Sequence, residues 1–147
     1  MPHLNKPLLV LLSALLPLSI ASAGGDKLDF VGYMTTMQYF SHKLGLSVDA
    51  GNAALQDYYA HEVEEIIEKL EEVDDYKGIP VAKLLKNTLA PAFEKLEDAV
   101  KAGEAPAVNA AYDGLLAACN SCHKAANHAY IHIERRSDNP YIQTFAP

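Results

Sequence analysis

Five consecutive residues, Cys119-Asn120-Ser121-Cys122-His123, join two thiols and an imidazole at C-x-x-C-H spacing. That spacing serves covalent attachment of a c-type haem: the thiols add across the two vinyl groups, and the next residue can reach the iron. The chain has two cysteines, and both lie in this stretch. A thioredoxin-like C-x-x-C needs a βαβ context, and no strand pattern is found. A structural zinc site needs four ligands, usually from two such pairs, and one pair is present. A disulfide or a chance pair accounts for the thiols but not for the adjacent histidine. The cofactor expected is one covalent haem c on Cys119 and Cys122.

These side chains need a helix to aim them together. Cys119 and Cys122 stand at i and i+3, and His123 at i+4 from Cys119, so on a helix all three project within about 100° of one another. The fourth helix of the chain is predicted from Pro106, at its first position, to about Ile133. Val108, Ala111, Tyr112, Leu115, Cys119, Cys122, His123, Ala126 and Tyr130 share its broad inner face. Upstream, Lys27 to Val48 reads as a helix with Asp26 as cap and Gly51 closing it. Phe30, Tyr33, Met34, Met37, Phe40, Ser41, Leu44 and Val48 form one stripe on it, with Met37 near the centre. A second helix is expected from Ala53 to Val73, capped by Asn52. Its buried stripe is Leu55, Tyr59, Val63, Ile66, Leu70 and Val73, and glutamates crowd its other face. The third is less regular. Either Pro80 opens a helix that Pro91 kinks, or Thr88 caps a fresh start that continues to Lys101. Four helices joined by short breaks predict an all-α, antiparallel four-helix bundle with covalent haem on the C-terminal helix.

Residues 1–23 read as a cleaved signal peptide: Lys6 in a short n-region, apolar Leu8 to Ile20, then Ala21-Ser22-Ala23. The apolar run is 13 residues and contains Pro17, short of the ~20 that span a bilayer. Export to the periplasm is expected, with no membrane insertion after cleavage. The domain division is 1–23 signal peptide, 24–136 helical domain, and 137–147 a tail that Tyr141, Ile142 and Phe145 fold back on the bundle. Cleavage removes Lys6 and no acid, leaving 11 basic against 19 acidic residues. Nucleic acid and anionic membranes are therefore not expected as partners, whereas a redox partner protein with a basic surface is.

An export signal, four helices and C-x-x-C-H on the last of them together resemble the class II c-type cytochromes, the group of cytochrome c′ and the cytochromes c556. The resemblance spans the mature chain in helix order, with Cys119 to His123 as its specific motif. It implies a four-helix bundle, His123 as proximal iron ligand, a distal position facing helix 1, and relatives that are often homodimers. In that family the motif usually lies near the C-terminus, whereas here 24 residues follow His123.

Function then turns on the sixth ligand. Met37 is the candidate distal iron ligand, and Met34, about 60° round the helix, is the second choice. His42 lies about 140° from Met37 and points away. His61 flanks the helix 2 stripe, beside Glu65. His128 and His132, at i and i+4, sit opposite the cysteines with no further ligand in view. Lys124, Arg135 and Arg136 are the cations near enough in sequence to pair with haem propionates. The expectation is a non-enzymatic, one-electron carrier with His123 and Met37 on iron. The alternative is a five-coordinate protein that binds a small gas such as nitric oxide. A peroxidase would need an acid–base group over the distal face, and the helix 1 stripe offers none.

Overall fold

The computed structural model describes residues 29–147. The expected signal peptide and the Asp26 cap lie outside the described residues. Four helices form an all-α bundle: α1 (Phe30–Ala50), α2 (Ala53–Glu71), α3, and α4 (Ala105–Ala125). Helix α3 is composite, running Val81–Leu84, a π-helical stretch Leu85–Leu89, and Ala90–Ala102 without interruption. Among the described residues no helix is long and apolar enough to cross a membrane.

The caps explain the boundaries. Helix α1 starts at Phe30, later than the expected Lys27, because the Asp29 carboxylate accepts the Gly32 N–H at 3.0 Å and satisfies an orphan donor of the first turn. Gly51 adopts φ +67°, and Asn52 then caps α2 through the Leu55 N–H at 3.1 Å. Helix α2 ends at Glu71, two residues before the expected Val73. A tight turn follows in which Lys77 and Gly78 both have positive φ and Tyr76 pairs with Ile79. Phe30 stacks on Tyr76 at 4.3 Å, which brings this turn to the N-terminal end of α1.

Of the two expected forms the structure takes the one that Pro80 opens: the helix starts at Val81 with Pro80 as its cap and runs through Pro91 to Ala102. Pro91 has no N–H for the Asn87 carbonyl, and its ring would strike that carbonyl in a regular α-helix. The backbone widens instead: the Ala90 N–H bonds to the Leu85 carbonyl, an i→i+5 step, the single-turn π-bulge. Thr88 does not cap; its hydroxyl donates back to the Leu84 carbonyl.

The largest difference is in α4, which stops at Ala125 instead of Ile133. Asn127 takes a left-handed φ of +61°. The His128 N–H bonds to the His123 carbonyl at 2.7 Å, and the Asn127 N–H to the Lys124 carbonyl at 3.1 Å, the hydrogen-bond pair of a Schellman ending. Tyr130 is therefore off the helix and 78% exposed, not on an inner face. His128 and His132 have no helical i, i+4 relation.

The core runs the length of the bundle, with Leu44, Val63, Leu70, Leu85, Leu96, Val108 and Leu115 almost fully enclosed. Tyr59 and Tyr112 are buried, and each is satisfied: Tyr59 donates to Gln143 at 2.6 Å, Tyr112 to the Ser41 carbonyl at 2.9 Å. The segment after α4 lies along the bundle. Arg135 bridges Asp49, Asp113 and Asn109. Tyr141 contacts His42, and Asn52 donates to the carbonyls of Phe145 and Ala146. Phe145 is buried, Tyr141 half-buried, and Ile142 fully exposed.

Gly45 faces the Tyr112 ring, which occupies the space a Cβ there would need. Gly45→Ala is expected to destabilise the chain by about 1–3 kcal/mol, the usual cost of overpacking a core. Chemical denaturation of the two variants would measure it.

Candidate functional site

The antiparallel course of α1 and α4 sets which residues meet. Tyr112 of α4 reaches Ser41 and Gly45 of α1. Nearer the start of α4, Asn109 shares Arg135 with Asp49, nearer the end of α1. Moving seven residues on along α4, about 10 Å at the helical rise, leads to Cys119. The same step back along α1 leads to Met34–Gln38. Met37 and Cys119 thus share one level of the bundle, with Met37 7% exposed in the core and Met34 packed against it.

Cys119 and Cys122 are free thiols, both half-buried and both packed against the core. Burial, with a smaller contribution from Cys122, pushes the Cys119 thiol from its ordinary 9.0 up to about 11. Burial also raises the Cys122 thiol, and a contact with the Thr88 side chain works against that rise. Thr88 belongs to the π-helical stretch, so the irregular turn of α3 abuts the second cysteine.

His123 Nδ1 stands 2.9 Å from the Ile131 carbonyl oxygen. A carbonyl only accepts, so Nδ1 is the donor in this contact, and Nε2 is left for another partner. This is the second-shell arrangement that orients a metal-bound histidine. The carbonyl belongs to the strap that follows the helix, residues 126–133. The strap is tied to the motif again at Asn120, whose side-chain amide donates to the Ile133 carbonyl and accepts the Ile133 N–H, both at 2.8 Å. In the sequence Asn120 is only a spacer of the motif. Its partners lie on a segment predicted to be helical, so no signal in the sequence could have found it.

The remaining candidates lie elsewhere. His42 Nδ1 contacts the Tyr141 hydroxyl at 3.1 Å, and its Nε2 is buried with no partner among the described residues. His61 is exposed, 3.5 Å from both Glu64 and Glu65. His128 Nδ1 donates to the Ala126 carbonyl at 2.6 Å. Arg135 is committed to Asp49 and Asp113 and lies over the Tyr112 ring, while Arg136 pairs with Glu134 and Asp138. Of the three cations expected to meet propionates, Lys124 alone has no ion pair among the described residues. Among those residues, no three His, Cys, Asp or Glu side chains gather as a metal-binding group.

No family model matches the chain, and no curated protein and no solved structure matches it. Two adjacent thiols on one helix face, an imidazole whose Nε2 is free, and a buried thioether at the same level suit a covalently held haem. Cys119 and Cys122 would hold the group and His123 would bind its iron, with Met37 a further donor at the same level of the bundle.

Because the Cys119 thiol titrates above its unfolded value, its contribution to the stability of the chain without haem is fully present below pH 9. Stability should fall by on the order of 2 kcal/mol as pH rises from about 9 to about 11. A thioether has no such proton, so a haem-loaded chain should lack this loss. Thermal unfolding across that pH range compares the two.

Proposed function

We propose that the protein is an exported, periplasmic monohaem c-type cytochrome that carries single electrons. Haem c is joined to Cys119 and Cys122, and iron is bound by His123 and Met37. The resemblance to the class II c-type cytochromes points the same way. The observation that carries the reading is the His123 ring, its Nδ1–H tied to the Ile131 carbonyl one helical turn from Cys119.

Bound there, haem supplies a ferric–ferrous couple whose potential its axial ligands set. The chain does the rest. His123 offers the Nε2 lone pair, and the hydrogen bond at Nδ1 fixes the plane of the ring. Met37 offers a soft thioether from a buried position, where water does not compete. Leu115, Phe93 and Leu89 help to keep the interior dry, which favours the less charged state of any redox centre within. Outside, the acidic face of α2, with Glu65, Glu68 and Glu71 exposed, suits long-range attraction of a basic redox partner.

A second reading comes from Met37 itself, which packs within the apolar core. A methionine that only fills space would leave an open, apolar distal side, and such a site binds a small gas. Absorption spectra separate the two. The carrier is low-spin, shows a methionine–iron charge-transfer band that Met37→Ala abolishes, and ignores carbon monoxide. A high-spin spectrum with ready carbon monoxide binding would favour the gas-binding protein. Cys119→Ser combined with Cys122→Ser should abolish covalent haem on a denaturing gel stained for haem. Full retention of covalent haem would sink both readings.

Electron transfer to a basic partner should slow several-fold between about 10 mM and 150 mM salt, as the Debye length shortens from about 30 to about 8 Å. Stopped-flow rates at a series of ionic strengths would show it.

A further inference from the structure

We propose that Asn120, the first spacer residue of the C-x-x-C-H motif, is the positioning residue for His123. Its amide meets both backbone groups of one residue, giving its Nδ2–H to the Ile133 carbonyl and taking the Ile133 N–H on Oδ1, each at 2.8 Å. A planar amide carries donor and acceptor side by side, so this is a two-point match to a peptide strand, made by a side chain. Between the Schellman ending at Ala126–His128 and Ile133, the strap has one further backbone bond, from the Ile131 N–H to the His128 carbonyl. That bond sets a turn but does not fix its distance from α4. The Asn120 pair does, and it holds the Ile131 carbonyl 2.9 Å from His123 Nδ1. Asn120 acts on the ring through the strap: both of its side-chain hydrogen bonds go to Ile133 and neither goes to His123.

The side-chain requirements are narrow. Alanine removes both bonds, aspartate keeps the acceptor and loses the donor, and glutamine carries the amide a methylene too far. Ser121, the other spacer, spends its hydroxyl on the Ala117 carbonyl of its own helix and has no part in the strap. Alanine at position 120 favours helix, so α4 should persist without the clamp.

The role toward iron rests on the proposed function, whereas the effect on the ring does not. The test uses the full chain with labelled histidine nitrogens, produced with and without haem attachment. In the wild type, His123 should be protonated at Nδ1, with slow solvent exchange of that proton. In Asn120→Ala the exchange should quicken at least about fivefold, the loss expected when two hydrogen bonds of ordinary net strength go. In the loaded protein the midpoint potential should also rise, because a ring with a weaker Nδ1 hydrogen bond is a poorer donor. Asn120→Asp should fall between, and Ser121→Ala should match the wild type. The proposal is overturned if Asn120→Ala frees the Ile133 amide to exchange while the His123 proton keeps its wild-type rate. It is equally overturned if the wild-type ring is protonated at Nε2. If the wild type takes up no covalent haem, the role toward iron falls with the proposed function, and exchange in the haem-free chain still decides whether Asn120 positions the ring.

Discussion

The approach of Tyr112 to Gly45 is the constraint on which the rest depends. Helices α1 and α4 come together where one residue has no Cβ and the other has a large ring. Tyr112 is buried, and burial above all pushes its hydroxyl above the ordinary tyrosine range, so it remains a donor to the Ser41 carbonyl. A ring filling a notch and a hydrogen bond at its tip together fix how far one helix can slide along the other. Everything at the motif end inherits that register. A slip of one turn, about 5.4 Å, would take Met37 out of line with Cys119 and put a side chain with a Cβ opposite the ring.

Much of this arrangement could be read from the chain. Gly51 and Asn52 announced the break between α1 and α2 because one tolerates a left-handed backbone and the other caps. The stripe on α1, with Met37 inside and Ser41, Leu44 and Val48 beyond it, follows from a period of 3.6 residues. What could not be read has two physical causes. By sequence, Pro91 is an obstacle with two local remedies, a kink or a new start. The chain instead takes up the misfit in one widened turn, Leu85–Leu89, with helix continuing on both sides. The end of α4 was misplaced because Ala126, Tyr130 and Ile133 continue the apolar spacing, and Asn127 marks a helix end less clearly than glycine would.

That misplaced end matters for the candidate site. Had the helix continued, the His123 ring would have had only its own helix and solvent beside it. The early stop folds residues 126–133 back against the motif and supplies a backbone carbonyl to Nδ1. The motif itself is legible because its residue types stand at a distinctive spacing. Its support is not, since it consists of backbone groups that any sequence carries and only a fold can aim.

The segment that follows the strap closes contacts across almost the whole described chain. Tyr141 meets His42, Gln143 meets Lys43 and Tyr59, and the Phe145 and Ala146 carbonyls meet Asn52. Contacts between residues so far apart in sequence carry the largest loop-closure entropy and form late in folding. In a chain made N-terminus first, α1 and α2 emerge while these partners are still missing. The Tyr59 and Lys43 face stays open until residues 139–146 arrive. The order of emergence therefore gives the bundle an interval in which its first two helices are present but its outer seam is unsealed.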